Sequence, residues 1–225
     1  MHTRLIVQTF ISLAVMGVLL FGGAGTVAWP AAWCFLIEVG ALGLWVGFWL
    51  ARVDPALLAE RLGSLVQKGQ KPWDRLFMAF AGIGWCAWIV LIALDARRFH
   101  WSSVPHSLAA LGSLAILVSI VVTRFVFRAN SYASPVVKLQ SERGHKVADT
   151  GPYAYVRHPM YAGAIPFLIG MPLLLGSWWG LVCTPLLVVA LAVRAVFEER
   201  LLIEQLDGYA AYAARVRYRL IPGIW

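Results

Sequence analysis

The sequence predicts an all-α integral membrane protein with about six membrane helices, the last two forming a tight helical hairpin, and with both termini cytoplasmic. Three observations carry that expectation. The chain has 225 residues, of which 60% are hydrophobic and only 13% charged, with a mean hydropathy of +0.74. A water-soluble domain of that length cannot hide so much apolar surface, so the solvent is lipid. Six apolar runs are visible, at about 4–23, 29–51, 74–94, 105–127, 160–176 and 177–197. Placing both termini on one side puts 17 of the 19 Lys and Arg residues there and leaves only Arg97 and Arg98 opposite. The excess of basic residues in cytoplasmic loops makes that side the cytoplasm. The chain then reads as one membrane domain over 1–225, with four helices in 1–127 and a more polar part in 128–225.

The first run, 4–23, begins beside Arg4 and precedes "AWPA", which invites a signal-peptide reading. It exceeds an h-region of roughly 7–15 residues and more spans follow, so it is expected to be a retained helix. The second run contains Glu38, expensive in lipid, which marks a substrate contact or a helix-to-helix hydrogen bond. Each of the first four runs is long enough to cross a hydrocarbon core needing ~20 residues. Cys34, Cys86 and Cys183 fall inside apolar runs without metal-like spacing and read as small buried residues rather than a disulfide framework.

The connections expected to face outward are short or nearly uncharged. Inward lie an amphipathic loop (52–73), a long segment (128–159) and a charged tail (198–225), so function is sought on the cytoplasmic face. A formal net charge of +8 could point to nucleic acid, but basic residues flanking membrane helices explain it without such a partner. A channel or transporter would need polar residues through the midplane, and Glu38 is nearly alone there.

The long segment ends in "TGPYAYVRHPMYAG", Thr150 to Gly163. The residue before a proline is pushed out of the helical region, and proline suits the first helical position. His158 is therefore the expected N-cap and Pro159 the first residue of the fifth membrane helix. Arg157 and His158 then stand at a helix N-terminus, a place that favours anions, with Tyr153 and Tyr155 along the approach. The fifth run is short and carries Pro166 and Pro172, and only Gly176–Ser177 separates it from the sixth. Near the end of the sixth run, "RAVFEERLL" sets Arg194 and Glu198 on one helix face. Glu199 points about 100° away and reads as solvated. In "DGYAAYAARVRYRLIPGIW", Tyr209 and Tyr212 belong on one face of a short helix. Arg215, Arg217 and Arg219 read as a contact with anionic headgroups.

With these residues the chain resembles the isoprenylcysteine carboxyl methyltransferase family, which includes membrane methyltransferases of phospholipids. The family pattern Gly-x-Tyr-x-x-x-Arg-His-Pro-x-Tyr-x-Gly stands here as "GPYAYVRHPMYAG". Its downstream Glu-Glu pair, leucine, tyrosines and proline stand as "EERLLIEQLDGYAAYAARVRYRLIP". The resemblance covers about 138–225. It implies an α-helical multi-spanning enzyme that uses S-adenosyl-L-methionine. It also implies that Tyr153, His158, Pro159, Met160 and Tyr161 wrap the cofactor, with His145, Lys146, Val147 and Ala148 before them and Lys138 as a further contact. Glu198 matches the glutamate that completes the cofactor site, and Arg194 matches an arginine on the substrate side. Arg157 or His158 suits the cofactor's carboxylate. The implied acceptor is lipid-like or prenylated, entering from the bilayer; a prenylated cysteine carboxylate is the typical one and a lipid-headgroup amine the next. The ending "YRLIPGIW" also resembles the tail of membrane sterol reductases, which leaves an NADPH-dependent reductase of a sterol-like or enone lipid as the alternative.

Overall fold

A computed structural model describes residues 1–64 and 66–225. Among these residues eight α-helices follow in order: α1 His2–Ala24, α2 Pro30–Val53, α3 Pro55–Arg61, α4 Pro72–Ala93, α5 His106–Ala129, α6 Pro159–Leu175, α7 Trp178–Gln205 and α8 Tyr209–Arg215. No strand occurs among the described residues. Among the described residues, five helices are long and apolar enough to cross a membrane: α1, α2, α4 with the π-turn that extends it to Arg98, α5 and α7. The sixth apolar helix, α6, has 17 residues, about 25 Å at 1.5 Å per residue. Leu65, in the 52–73 loop, lies outside the described residues.

Prolines open four of these helices, at Pro30, Pro55, Pro72 and Pro159, where a missing N–H is no loss and φ is already set. Asp54 caps α3, its carboxylate accepting from the Leu57 amide at 2.9 Å. Between α6 and α7, Gly176 takes φ 92°, which a side chain would strain. Ser177 then caps α7 through the Gly180 amide at 2.8 Å.

The hairpin tip is pinned. Ser177 Oγ donates to the fully buried Asp95 carboxylate at 2.6 Å, and Ser102 Oγ donates to the same oxygen at 2.8 Å. The tip of α6–α7 therefore sits beside the end of α4 and the α4–α5 connection. Arg97 reaches the Ala28 carbonyl in the α1–α2 connection at 2.8 Å, so these three connections form one end of the bundle.

Helices α5 and α6 make the closest approach. A Cβ on Gly112 would meet Gly170 O and Leu174 N at 2.6 Å each, so neither backbone can tolerate a side chain there. Glu38 is resolved as a helix-to-helix contact, accepting from Ser113 Oγ at 2.8 Å.

The apolar core has two parts. One lies between the membrane helices around Phe35, Ile89, Ile92, Ile116 and Met171. The other begins at Leu5 and Leu50 and continues through Leu57, Val126, Tyr153, Tyr209 and Tyr212, tying the bundle to the cap made by α3, 130–158 and α8. Residues such as Phe10, Val18, Ile37, Phe80, Ile83 and Leu186 point outward, as a bundle solvated by lipid requires. Cys34 and Cys86 are on that outer surface and Cys183 is half-exposed, which corrects their reading as buried: a thiol is apolar enough to face acyl chains.

Candidate functional site

The cap and the ends of α6 and α7 enclose a cavity. Its walls include Asn130, Tyr132, Lys138, His145, Lys146, Val147, Ala148, Tyr153, Arg157, His158, Met160, Tyr161, Glu198, Tyr209 and Tyr212. Of the residues that the resemblance assigns to the cofactor or the substrate, Pro159 and Arg194 do not line it and the others do.

The wall is built locally. His158 is the residue before α6 (φ −123°, ψ 63°) and Pro159 opens the helix, as the pre-proline restriction predicts. Residues Gly151–Ala154 form a 3-10 turn that buries Tyr153 and leaves Tyr155 72% exposed. The two tyrosines thus part, and Tyr155 does not share the approach expected of it. Asn130 donates to Tyr153 Oη at 2.8 Å, and Tyr212 Oη donates to the Tyr153 carbonyl at 2.8 Å. Burial raises the Tyr153 and Tyr212 phenols above their ordinary range, so both stay protonated. Tyr132 stacks on His145 with centroids 4.4 Å apart. The Gln140 amide donates to His145 Nδ1 at 3.4 Å. Burial, the largest influence, holds the His145 pKa below its ordinary value, so the ring is neutral at pH 7.

Glu198 and Glu199 have separate tasks. Tyr161 Oη donates to Glu198 Oε2 at 2.5 Å, setting that half-buried carboxylate in the cavity wall. Glu199 is buried, not solvated as the sequence suggested. Arg157 forks onto it through Nε (3.0 Å) and Nη2 (3.2 Å), and Arg219 does the same at 3.1 Å through both nitrogens. The remaining nitrogen of Arg157 donates to the carbonyls of Ala213, Val216 and Arg217 at 2.9–3.2 Å. Arg157 thereby fastens the tail to α7 with every guanidinium nitrogen engaged. Arg219 is likewise consumed by Glu199, and Arg215 pairs with Asp149 at 2.6 Å; neither is a free headgroup contact.

Arg194 is also engaged. Its guanidinium meets the fully buried Asp74 carboxylate at 2.9–3.0 Å and donates to the Pro135 carbonyl at 2.8 Å. Asp74 further accepts from Gln70 (2.8 Å) and the Val137 amide (2.9 Å). The sequence reading missed Asp74, which hides behind an ordinary helix-start acid in "KPWDR". Lys138 is paired with Glu60 at 2.7 Å.

Two buried polar atoms in the cavity wall have no hydrogen-bond partner among the described residues: His158 Nε2 and Tyr209 Oη. His158 Nε2 is 3.6 Å from Glu199 Oε2, beyond hydrogen-bond reach, while its ring stacks on Tyr161. Buried polar atoms in folded chains normally have partners. With a carboxylate and several aromatic rings on the same wall, they fit a ligand carrying cationic, polar and flat aromatic parts.

Fold and site define a multi-pass membrane protein with a polar cavity at one end of its helical bundle. Residues 108–207, less than half of the chain, are similar to the phospholipid methyltransferase family, a family of membrane methyltransferases of the isoprenylcysteine carboxyl methyltransferase type. The match takes in α5, which the sequence motifs did not reach, and ends before α8. No curated protein matches the chain.

Proposed function

We propose that this chain uses S-adenosylmethionine to methylate a lipophilic acceptor at the cytoplasmic membrane face, with the carboxylate of an isoprenylcysteine-like lipid as the leading acceptor. One observation carries the reading: the two separated motif halves converge on one cavity, where Tyr161 of α6 hydrogen-bonds Glu198 of α7. Residues Tyr132, His145, Tyr153, His158, Met160, Tyr161 and Glu198 would hold the cofactor. S-adenosylmethionine, when bound, supplies an electrophilic methyl group on a cationic sulfonium.

The chain's own residues supply binding, orientation and dryness. The Glu198 carboxylate and the surrounding rings favour positive charge. His158 Nε2 and Tyr209 Oη offer unused polar atoms. Burial keeps Tyr153, Tyr209 and Tyr212 un-ionised, so they orient rather than take protons. A carboxylate acceptor is already ionised at pH 7 and needs no general base; alignment of nucleophile and methyl carbon is then the main task. The match to a family described as phospholipid methyltransferase favours a lipid-headgroup amine as the second acceptor.

Thermal unfolding in detergent with S-adenosylhomocysteine or NADPH tests the proposal. S-adenosylhomocysteine is expected to raise the unfolding temperature and NADPH to leave it unchanged. Stabilisation by NADPH alone would overturn the reading in favour of a reductase. Glu198→Ala is expected to weaken S-adenosylhomocysteine binding by about ten-fold or more, the scale of a lost charged hydrogen bond, and His158→Ala to weaken it less.

A further inference from the structure

The polar cavity has an apolar neighbour. A groove of about 600 Å³ runs between α4, α5, α6 and α7, and Met160 lines both spaces. Its flank is open to the bilayer, where Phe80 and Leu186 are 65% and 71% exposed. At its cap end stands Arg61, the last residue of α3 and, among the described residues, the only charged side chain lining the groove.

Arg61 is unlike the other arginines near the site. Its Nη1 donates to the Ala133 carbonyl at 2.9 Å and lies 3.8 Å from Met160 Sδ. Its guanidinium rests 4.5 Å over the Phe127 ring. Among the described residues no carboxylate pairs with it, whereas Arg157 and Arg219 share Glu199 and Arg194 is matched by Asp74. Burial lowers its pKa to about 10, which leaves it charged at pH 7. A guanidinium held at the edge of an apolar space, with its fork not closed by an acid, selects a planar or tetrahedral anion.

We propose that Arg61, rather than Arg194, reads the acceptor: a lipid lays its apolar chain in the groove and sets an anionic group on Arg61, with Met160 between it and the cavity. This rests on the methyltransferase reading for its purpose but not for its binding chemistry. Carboxylate and phosphodiester share the required charge. A primary amine without an anion is disfavoured by Arg61, and a neutral amide gains only the groove.

The test uses the full chain in detergent and four ligands with the same farnesyl chain, ending in a carboxylate, a methyl phosphodiester, a carboxamide or a primary amine. Half-saturating concentrations are read from thermal stabilisation. At least one anion is expected to bind about ten-fold more tightly than the amide and amine; the tighter anion separates a carboxyl acceptor from a phospholipid. Arg61→Gln is expected to bring all four within about two-fold. Arg61→Lys, a charge without the fork, retains the order with a smaller ratio. In both variants stabilisation by S-adenosylhomocysteine should equal wild type, which a merely structural role for Arg61 would not give. Binding of neither anion more tightly than the carboxamide by the wild type, or an anion preference that survives Arg61→Gln, overturns the proposal. Should S-adenosylhomocysteine fail to bind the wild type while the anion preference persists and needs Arg61, the methyltransferase reading falls and the anion site stands.

Discussion

At the residue scale, adjacent glutamates on α7 have opposite consequences when removed. Glu199 is buried beneath Arg157 and Arg219. Deleting one partner of a buried ion network leaves charge uncompensated, at a cost of about 3–5 kcal/mol. Glu199→Ala should therefore lower the thermal midpoint sharply, whereas Glu198→Ala should scarcely move it in the absence of ligand; equal midpoints for the two variants would contradict this division. His145 gives a pH signature. Unfolded, it takes up a proton near 6.5, and the folded chain holds it neutral to lower pH. The unfolded state thus binds more protons in that window, and stability falls as pH drops below about 6.5 toward the folded value. His145→Asn should flatten that part of a stability–pH curve, with no change above pH 7. What could be read from sequence follows the same physics. Local rules placed His158 before α6 and Tyr209 with Tyr212 on one face, because proline geometry and helical period are local. The Asp74 partner of Arg194 is 120 residues away, and the Glu199 cluster is closed by a tail whose path no local rule specifies. Periodicity could show that Glu199 faces away from Glu198, but not that Arg157 waits there.

At the element scale, the α5–α6 contact positions the site, since α6 carries Tyr161 at its start and α5 runs into Asn130 at its end. Gly112 faces Gly170 and Leu174 backbone atoms at 2.6 Å from a virtual Cβ. Backbone cannot swing aside as a side-chain tip can, so Gly112→Ala must separate the two helices. A loss of about 1–3 kcal/mol is expected, the scale of overpacking. Ligand binding should weaken with it, because Asn130 and Tyr161 shift relative to one another. Gly43 has nothing within 4 Å of its virtual Cβ, so Gly43→Ala is the matched control and should be close to neutral. Hydropathy located α5 and α6 as spans without revealing this contact. A glycine in a lipid-exposed run and one at a helix crossing look alike until the partner helix is placed.

At the scale of the whole molecule, the number of crossings and the side of each terminus are linked by parity. Five crossings would put the termini on opposite sides, and six return them to one side. At 17 residues, α6 is short for a span of about 30 Å of hydrocarbon, yet its hairpin tip reaches the Asp95 cluster at the far end of α4. Ser177 is therefore level with the α1–α2 and α4–α5 connections, opposite the cap that holds Glu198. Charge agrees, since 17 of 19 basic residues lie on the cap side, the side favoured as cytoplasmic. Single cysteines in a background with Cys34, Cys86 and Cys183 replaced by alanine or serine can decide the matter in intact cells. Thr26→Cys and Trp101→Cys should react with a membrane-impermeant maleimide. Lys68→Cys, Glu142→Cys and Asp207→Cys should react only after permeabilisation. Labelling of Asp207→Cys in intact cells would split the termini across the membrane and remove α6 from the spans. Labelling of Glu142→Cys and Asp207→Cys together, with Thr26→Cys protected, would instead invert the whole bundle and move the cavity to the outer face.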